Sequence, residues 1–90
     1  MEKIRMHYVF HGCVQGVGFR YRAAYSARQY GITGWVQNRY DGSVEMEAEG
    51  TAADLAAMYR TLEELRFGEI TAVDAEQITP QQDRSFEIRG

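Results

Sequence analysis

The sequence predicts an α+β sandwich, with two helices lying on one face of an antiparallel sheet of four to five strands. Three observations lead there. Apolar residues alternate with period two over Ile4–Phe10 and Ser43–Glu49, which marks strands. Apolar stripes of helical period run from Phe19 to Tyr30 and again from about residue 52 onward. The elements then read β-α-β-β-α-β with a fifth short strand at the end. Right-handed crossovers place both helices on one face and the first strand beside the third, antiparallel to it, which is the split βαβ or ferredoxin-like arrangement.

Each element has its own signature. In the first strand Ile4, Met6, Tyr8 and Phe10 face the core, while Arg5, His7, Val9 and His11 share the other face, where the histidines are expected to be exposed. A glycine-rich bend follows, carrying Gly12, Gly16 and Gly18. The first helix spans Phe19 to Tyr30, with Phe19, Ala23, Ala27 and Tyr30 on its buried stripe and Gly31 as its stop. GWVQN and SVEMEAE flank Arg39-Tyr40-Asp41-Gly42, and Asp-Gly between strand-like runs predicts a hairpin. Val44, Met46 and Ala48 form its inner face; Glu45, Glu47 and Glu49 form an outer face expected to be solvated.

Thr51 and Asp54 resemble a capping box for the second helix, whose stripe is Leu55, Met58, Tyr59, Leu62 and Leu65. Ile70–Ile78 reads as a strand with uneven alternation, as a bulge would produce. Phe86 and Ile88 point inward from a short terminal strand.

Ninety residues make a single domain, 1–90, of ordinary globular composition: 44% apolar and 26% charged. The lone Cys13 excludes an internal disulfide, and with only His7 and His11 beside it no metal site is predicted. With no signal-peptide pattern and no membrane-length apolar run, a cytoplasmic protein is expected, acting as a monomer. The net charge of −3 is uneven: residues 1–42 carry six Lys/Arg against two acids, residues 43–90 four against eleven. An acidic total argues against nucleic-acid or membrane-surface binding. Lys3, Arg5 and His7 should lie near Glu45, Glu47 and Glu49 on the outer sheet face, as exposed pairs of small energetic weight.

The stretch GCVQGVGFR, residues 12–20, joins strand to helix. Helix N-termini have unpaired N–H donors and a positive dipole end, and glycine permits the positive φ that turns successive N–H groups toward an anion. Arg20 adds a planar fork that matches two phosphate oxygens. No Walker-type Lys-Ser/Thr pair is present. The pattern alone admits two readings, a structural turn and an anion nest. Asn38 shares the parity of Val36 and so faces the helix side at its strand's end. The first two strands run parallel, and nothing in the pattern brings Asn38 to the bend.

GCVQGVGFR followed by GWVQNRYDGSVE at 34–45 resembles the signature of the acylphosphatase family, and the likeness extends through the second helix to the final Phe86-x-Ile88-Arg89. The family's usual Gly-Pro after the second helix is replaced here by Arg66-Phe67-Gly68-Glu69, away from the signature residues. The resemblance implies the same fold and the hydrolysis of a small acyl phosphate to a carboxylate and inorganic phosphate, with no metal or organic cofactor. It places the catalytic roles on Arg20 and Asn38, and the phosphate cradle on the backbone of Gln15, Gly16, Val17, Gly18 and Phe19. Asn38 cannot act as a base, but its amide can orient a water in line with phosphorus. A carboxylate leaves without a general acid, so positioning and charge stabilisation suffice. The alternative is an acylphosphatase-like module that binds anions without turnover. An RNA-binding ferredoxin-like domain would need exposed aromatics on the open sheet face; Trp35 qualifies by parity, but acids surround it.

Overall fold

The computed structural model describes residues 2–64 and 69–90. Its elements are β1 (Lys3–Cys13), α1 (Phe19–Gln29), β2 (Thr33–Asn38), β3 (Val44–Thr51), α2 (Ala52–Glu64), β4 (Glu69–Ile78) and β5 (Phe86–Arg89). They form one five-stranded sheet in the order β4-β1-β3-β2-β5. The predicted α+β architecture is present, with one refinement. Four strands are antiparallel to their neighbours, but β5 joins β2 in parallel, pairing Gly34 with Phe86 and Val36 with Ile88, so the sheet is mixed.

The inner face follows the period-two reading. Tyr8, Phe10, Val36, Val44, Met46 and Ala48 are buried with Ala23, Ala27, Leu55, Met58 and Leu62 from the helices in one core, with Ile4 and Met6 packed at its margin. Phe86 closes it from β5. Tyr30 departs from the helical stripe: α1 ends at Gln29, and Tyr30 caps it with an exposed side chain. Thr51 Oγ1 accepts the Asp54 N–H at 3.2 Å, so the acceptor half of the capping box is made. Leu65, assigned to the α2 stripe, and Arg66–Gly68 lie outside the described residues.

β1 runs two residues past its predicted end. Its pairing with β4 shifts between His11 and Gly12, from Ala72 to Ile70, which leaves Thr71 as the extra residue of a bulge. A side chain at Gly12 would collide with the backbone of Glu69, so this first glycine of the motif serves strand packing rather than the bend.

The outer face differs most from expectation. Arg5 is 1% exposed and Glu49 4% exposed. The Arg5 guanidinium donates to Glu47 at 2.7 Å, Glu49 at 3.1 Å and Asp83 at 3.0 Å, while Glu49 also accepts the backbone N–H groups of Gln81 and Gln82. The segment between β4 and β5 therefore lies over this end of the sheet and takes Arg5 and Glu49 out of water. His7 Nε2 lies 2.8 Å from Glu45, and His11 Nε2 lies 3.0 Å from Asp74. Trp35 is buried too, with the Arg89 guanidinium 4.9 Å from its ring centre. These contacts account for part of the uneven charge, since basic residues of β1 are matched by acids of β3.

Burial alone would raise the Glu49 carboxyl. The Gln81 N–H, the Arg5 guanidinium and the Gln82 N–H outweigh it and hold the group below its ordinary value of 4.5. A depressed folded-state pKa adds stability that is present above the unfolded value and lost as pH falls through the folded one. Urea unfolding should therefore show stability declining below about pH 4.5, with a shallower decline in Glu49→Gln. At neutral pH, Arg5→Ala should cost about 3 kcal/mol, because it strands a buried carboxylate. A pH profile identical in Glu49→Gln and the parent protein would contradict this account.

Candidate active site

β1 and β2 both run antiparallel to β3, hence parallel to each other. Their C-terminal ends meet at one residue: Val44 pairs with Phe10 on one side and Asn38 on the other. The end of the first strand, the bend that follows it and Asn38 thus share one edge of the sheet. Sequence reading had the strand directions but not this common register.

The bend is pinned by alternating burial. Val14 is buried, Val17 packs against the core, and Phe19 is buried with its ring 5.0 Å from that of Phe10. Anchoring Phe19 inward at the first position of α1 leaves Arg20 to project from the helix start. Between the anchors Gly16 has φ 73° and Gly18 φ 80°, both left-handed. Gly18 is the N-cap of α1, with ψ 13°. It has no side-chain oxygen to bond the first-turn N–H groups, and that turn holds no acidic residue. The helix therefore opens with donors and a positive dipole end that no side chain of its own offsets.

Val14, Gly16, Gly18, Phe19, Arg20, Tyr21 and Asn38 line one cavity of about 170 Å³. Arg20 Nη1 donates to the backbone oxygen of Gly90 at 2.6 Å, which steadies the guanidinium and uses one of its five donors. The Asn38 side-chain oxygen is buried and accepts no hydrogen bond from the described residues, although such an acceptor ordinarily finds a partner. Arg20, the start of α1 and Asn38 thus border one small volume. No carboxylate, thiol or imidazole lines it. Among the described residues no group of three or more His, Cys, Asp or Glu is arranged to hold a metal ion. Nor is any described helix long and apolar enough to cross a membrane.

Of the seven residues singled out from the sequence, Gly16, Gly18, Phe19, Arg20 and Asn38 line the cavity. Gln15 and Val17 do not. The Gln15 amide turns away and donates to the carbonyls of Arg39 at 2.6 Å and Ser43 at 2.9 Å. It ties the bend to the turn immediately after Asn38, so the two halves of the site are braced together. That turn is closed by Asp41, whose carboxylate accepts the Ser43 hydroxyl at 2.6 Å and the Ser43 N–H at 3.0 Å. These bonds hold the Asp41 carboxyl below its ordinary range. Val14 and Tyr21 are the lining residues that sequence reading passed over. Val14 looked like any loop valine, but an aromatic side chain directly after Arg20 was a legible signal.

A family model for acylphosphatase matches residues 6–88. The acylphosphatase of Bifidobacterium longum is 42% identical over 89 residues, covering 96% of this chain and 92% of that protein. The crystal structure of acylphosphatase from Bacillus subtilis superposes with a TM-score of 0.91 at 30% identity, covering 97% of this chain and 99% of that one. A full-length HypF crystal structure in the phosphate- and nucleotide-bound form gives a TM-score of 0.89 at 25% identity over 99% of this chain, but only 12% of that protein. From end to end, in sequence and in fold, the chain belongs to the acylphosphatase family, a family of hydrolases acting on acyl phosphates.

Proposed function

We propose that residues 1–90 act as a single acylphosphatase domain in which the 15–20 bend and Arg20 hold the phosphoryl group while Asn38 places the attacking water. The observation that carries this reading is the convergence of Arg20, the αL glycines of the helix start and Asn38 on one cavity, the Asn38 side-chain oxygen having no hydrogen-bond partner among the described residues. Backbone N–H groups and the guanidinium neutralise the phosphoryl oxygens as charge shifts in the transition state. A water that donates one hydrogen to the Asn38 oxygen is turned with its lone pair toward phosphorus. The new P–O bond forms as the bond to the acyl oxygen breaks, and the carboxylate departs with that electron pair. The water's second proton passes to a phosphoryl oxygen of the substrate. No cavity-lining carboxylate or imidazole is needed as a base, which suits a leaving group as good as a carboxylate.

The test is steady-state hydrolysis of benzoyl phosphate in the presence of a chelator, with inorganic phosphate as inhibitor. Turnover should persist and inhibition should be competitive, because product and substrate phosphoryl group occupy the same cradle. Noncompetitive inhibition would place phosphate elsewhere. The likeness to a small part of HypF supports a second reading, a phosphate-binding module without turnover. Phosphate binding with no hydrolysis of benzoyl phosphate would favour that one.

A further inference from the structure

We propose that Tyr21 selects the acyl group, and that the preferred substrates are acyl phosphates with an aromatic or extended apolar acyl portion. This deepens the reading above and rests on it. Tyr21 lines the same cavity as Arg20 and Asn38, yet it is 69% exposed, whereas Phe19, which also lines it, is locked into the core. Tyr21 therefore borders the cavity while most of its side chain is open to solvent. One turn further along α1 is Tyr25, also exposed, and residues four apart share a helix face. Two large exposed aromatic residues thus share one side of the helix, the first of them bordering the cavity.

The phosphoryl end of a substrate is fixed by the helix start and Arg20, which leaves the acyl end to project through the mouth. There it meets ring surface rather than a charge: among the described residues Arg20 is the only charged one lining the cavity, and the phosphoryl group engages it. A flat apolar acyl group covers the exposed ring, and both surfaces leave water. An acetyl group is too short to cover much of it. The contact is made equally in ground and transition states, so it acts on KM and leaves kcat unchanged.

The experiment compares kcat and KM for benzoyl phosphate and acetyl phosphate in the parent protein, Tyr21→Ala, Tyr21→Phe and Tyr40→Ala. Tyr40 is fully exposed and does not line the cavity, so it controls for loss of a surface ring. Tyr21→Ala should lower kcat/KM for benzoyl phosphate about tenfold through KM, with acetyl phosphate changed less than about twofold. Tyr21→Phe should keep the parental preference, since the ring and not the hydroxyl makes the contact, and Tyr40→Ala should change neither substrate. An unchanged benzoyl-to-acetyl ratio in Tyr21→Ala, or an equal loss on both substrates, would overturn the role of Tyr21 while leaving the hydrolase reading intact. A parent protein that hydrolyses neither substrate would remove the hydrolase reading and this proposal with it.

Discussion

Arg20→Ala is expected to reduce kcat/KM for benzoyl phosphate on the order of 10³-fold, the scale on which an arginine contributes to phosphoryl transfer. Arg20 projects from the first turn of α1, where a positive side chain opposes the helix dipole and gives the helix nothing. The side chain's backbone contact, to Gly90, is at the surface, so the urea midpoint should move little. Loss of activity without loss of stability separates a ligand-directed residue from a structural one. Arg20→Lys should recover only a small part of the rate, because an ammonium supplies charge but not a planar pair of donors to two oxygens. Inorganic phosphate should also inhibit the Arg20→Ala protein much more weakly. A variant with parental kcat/KM would remove Arg20 from the site.

Asn38→Ala should lower kcat by roughly 10²- to 10³-fold, the scale associated with misplacing a reacting group, with a smaller effect on KM. Asn38 lines the cavity with the bend, and its buried side-chain oxygen is an acceptor that no described residue satisfies. Such an atom carries a desolvation cost in the free protein that alanine removes. The variant should accordingly unfold at the same urea concentration or a slightly higher one, although Asn38 sits in the sheet beside β3. A stability gain accompanied by a rate loss is the pattern expected where a fold gives up some stability to keep a reactive group in place. Parental kcat in a folded Asn38→Ala protein would show that the water is positioned by something else.

Much of this was legible in the residues because alternation is a local property. Val44, Met46 and Ala48 are inward whatever the strand pairs with, and Asp41-Gly42 turns the chain whatever follows. Gly16 and Gly18 announced the bend, and Phe19-Arg20 the helix start, for the same reason, since positive φ and an N-terminal helix turn are local demands. The features that escaped are those that depend on what covers a face. Arg5 and Glu49 have correct outer parity, but parity does not reveal that residues 79–85 fold across them, and a polar stretch with one proline has no apolar pattern to announce it. β4 was blurred by its place at the sheet margin, where few side chains are buried, and by the extra Thr71. The parallel docking of β5 depends on a long-range choice of partner that four residues cannot encode by themselves. For the site, the missing link was register: only when Phe10 and Asn38 are both opposite Val44 does a bend at residue 16 meet a side chain at residue 38. The Gln15 brace to Arg39 and Ser43 then secures that meeting.

The division of labour between cradle and water-positioning group is tested most directly by titrating inorganic phosphate calorimetrically into the folded Asn38→Ala protein after its turnover has been measured. The expected result is a dissociation constant within about threefold of the parent value, in a protein that has lost nearly all hydrolysis. Phosphate binding abolished together with turnover would contradict it, because Asn38 would then be holding the phosphoryl group rather than the water that attacks it.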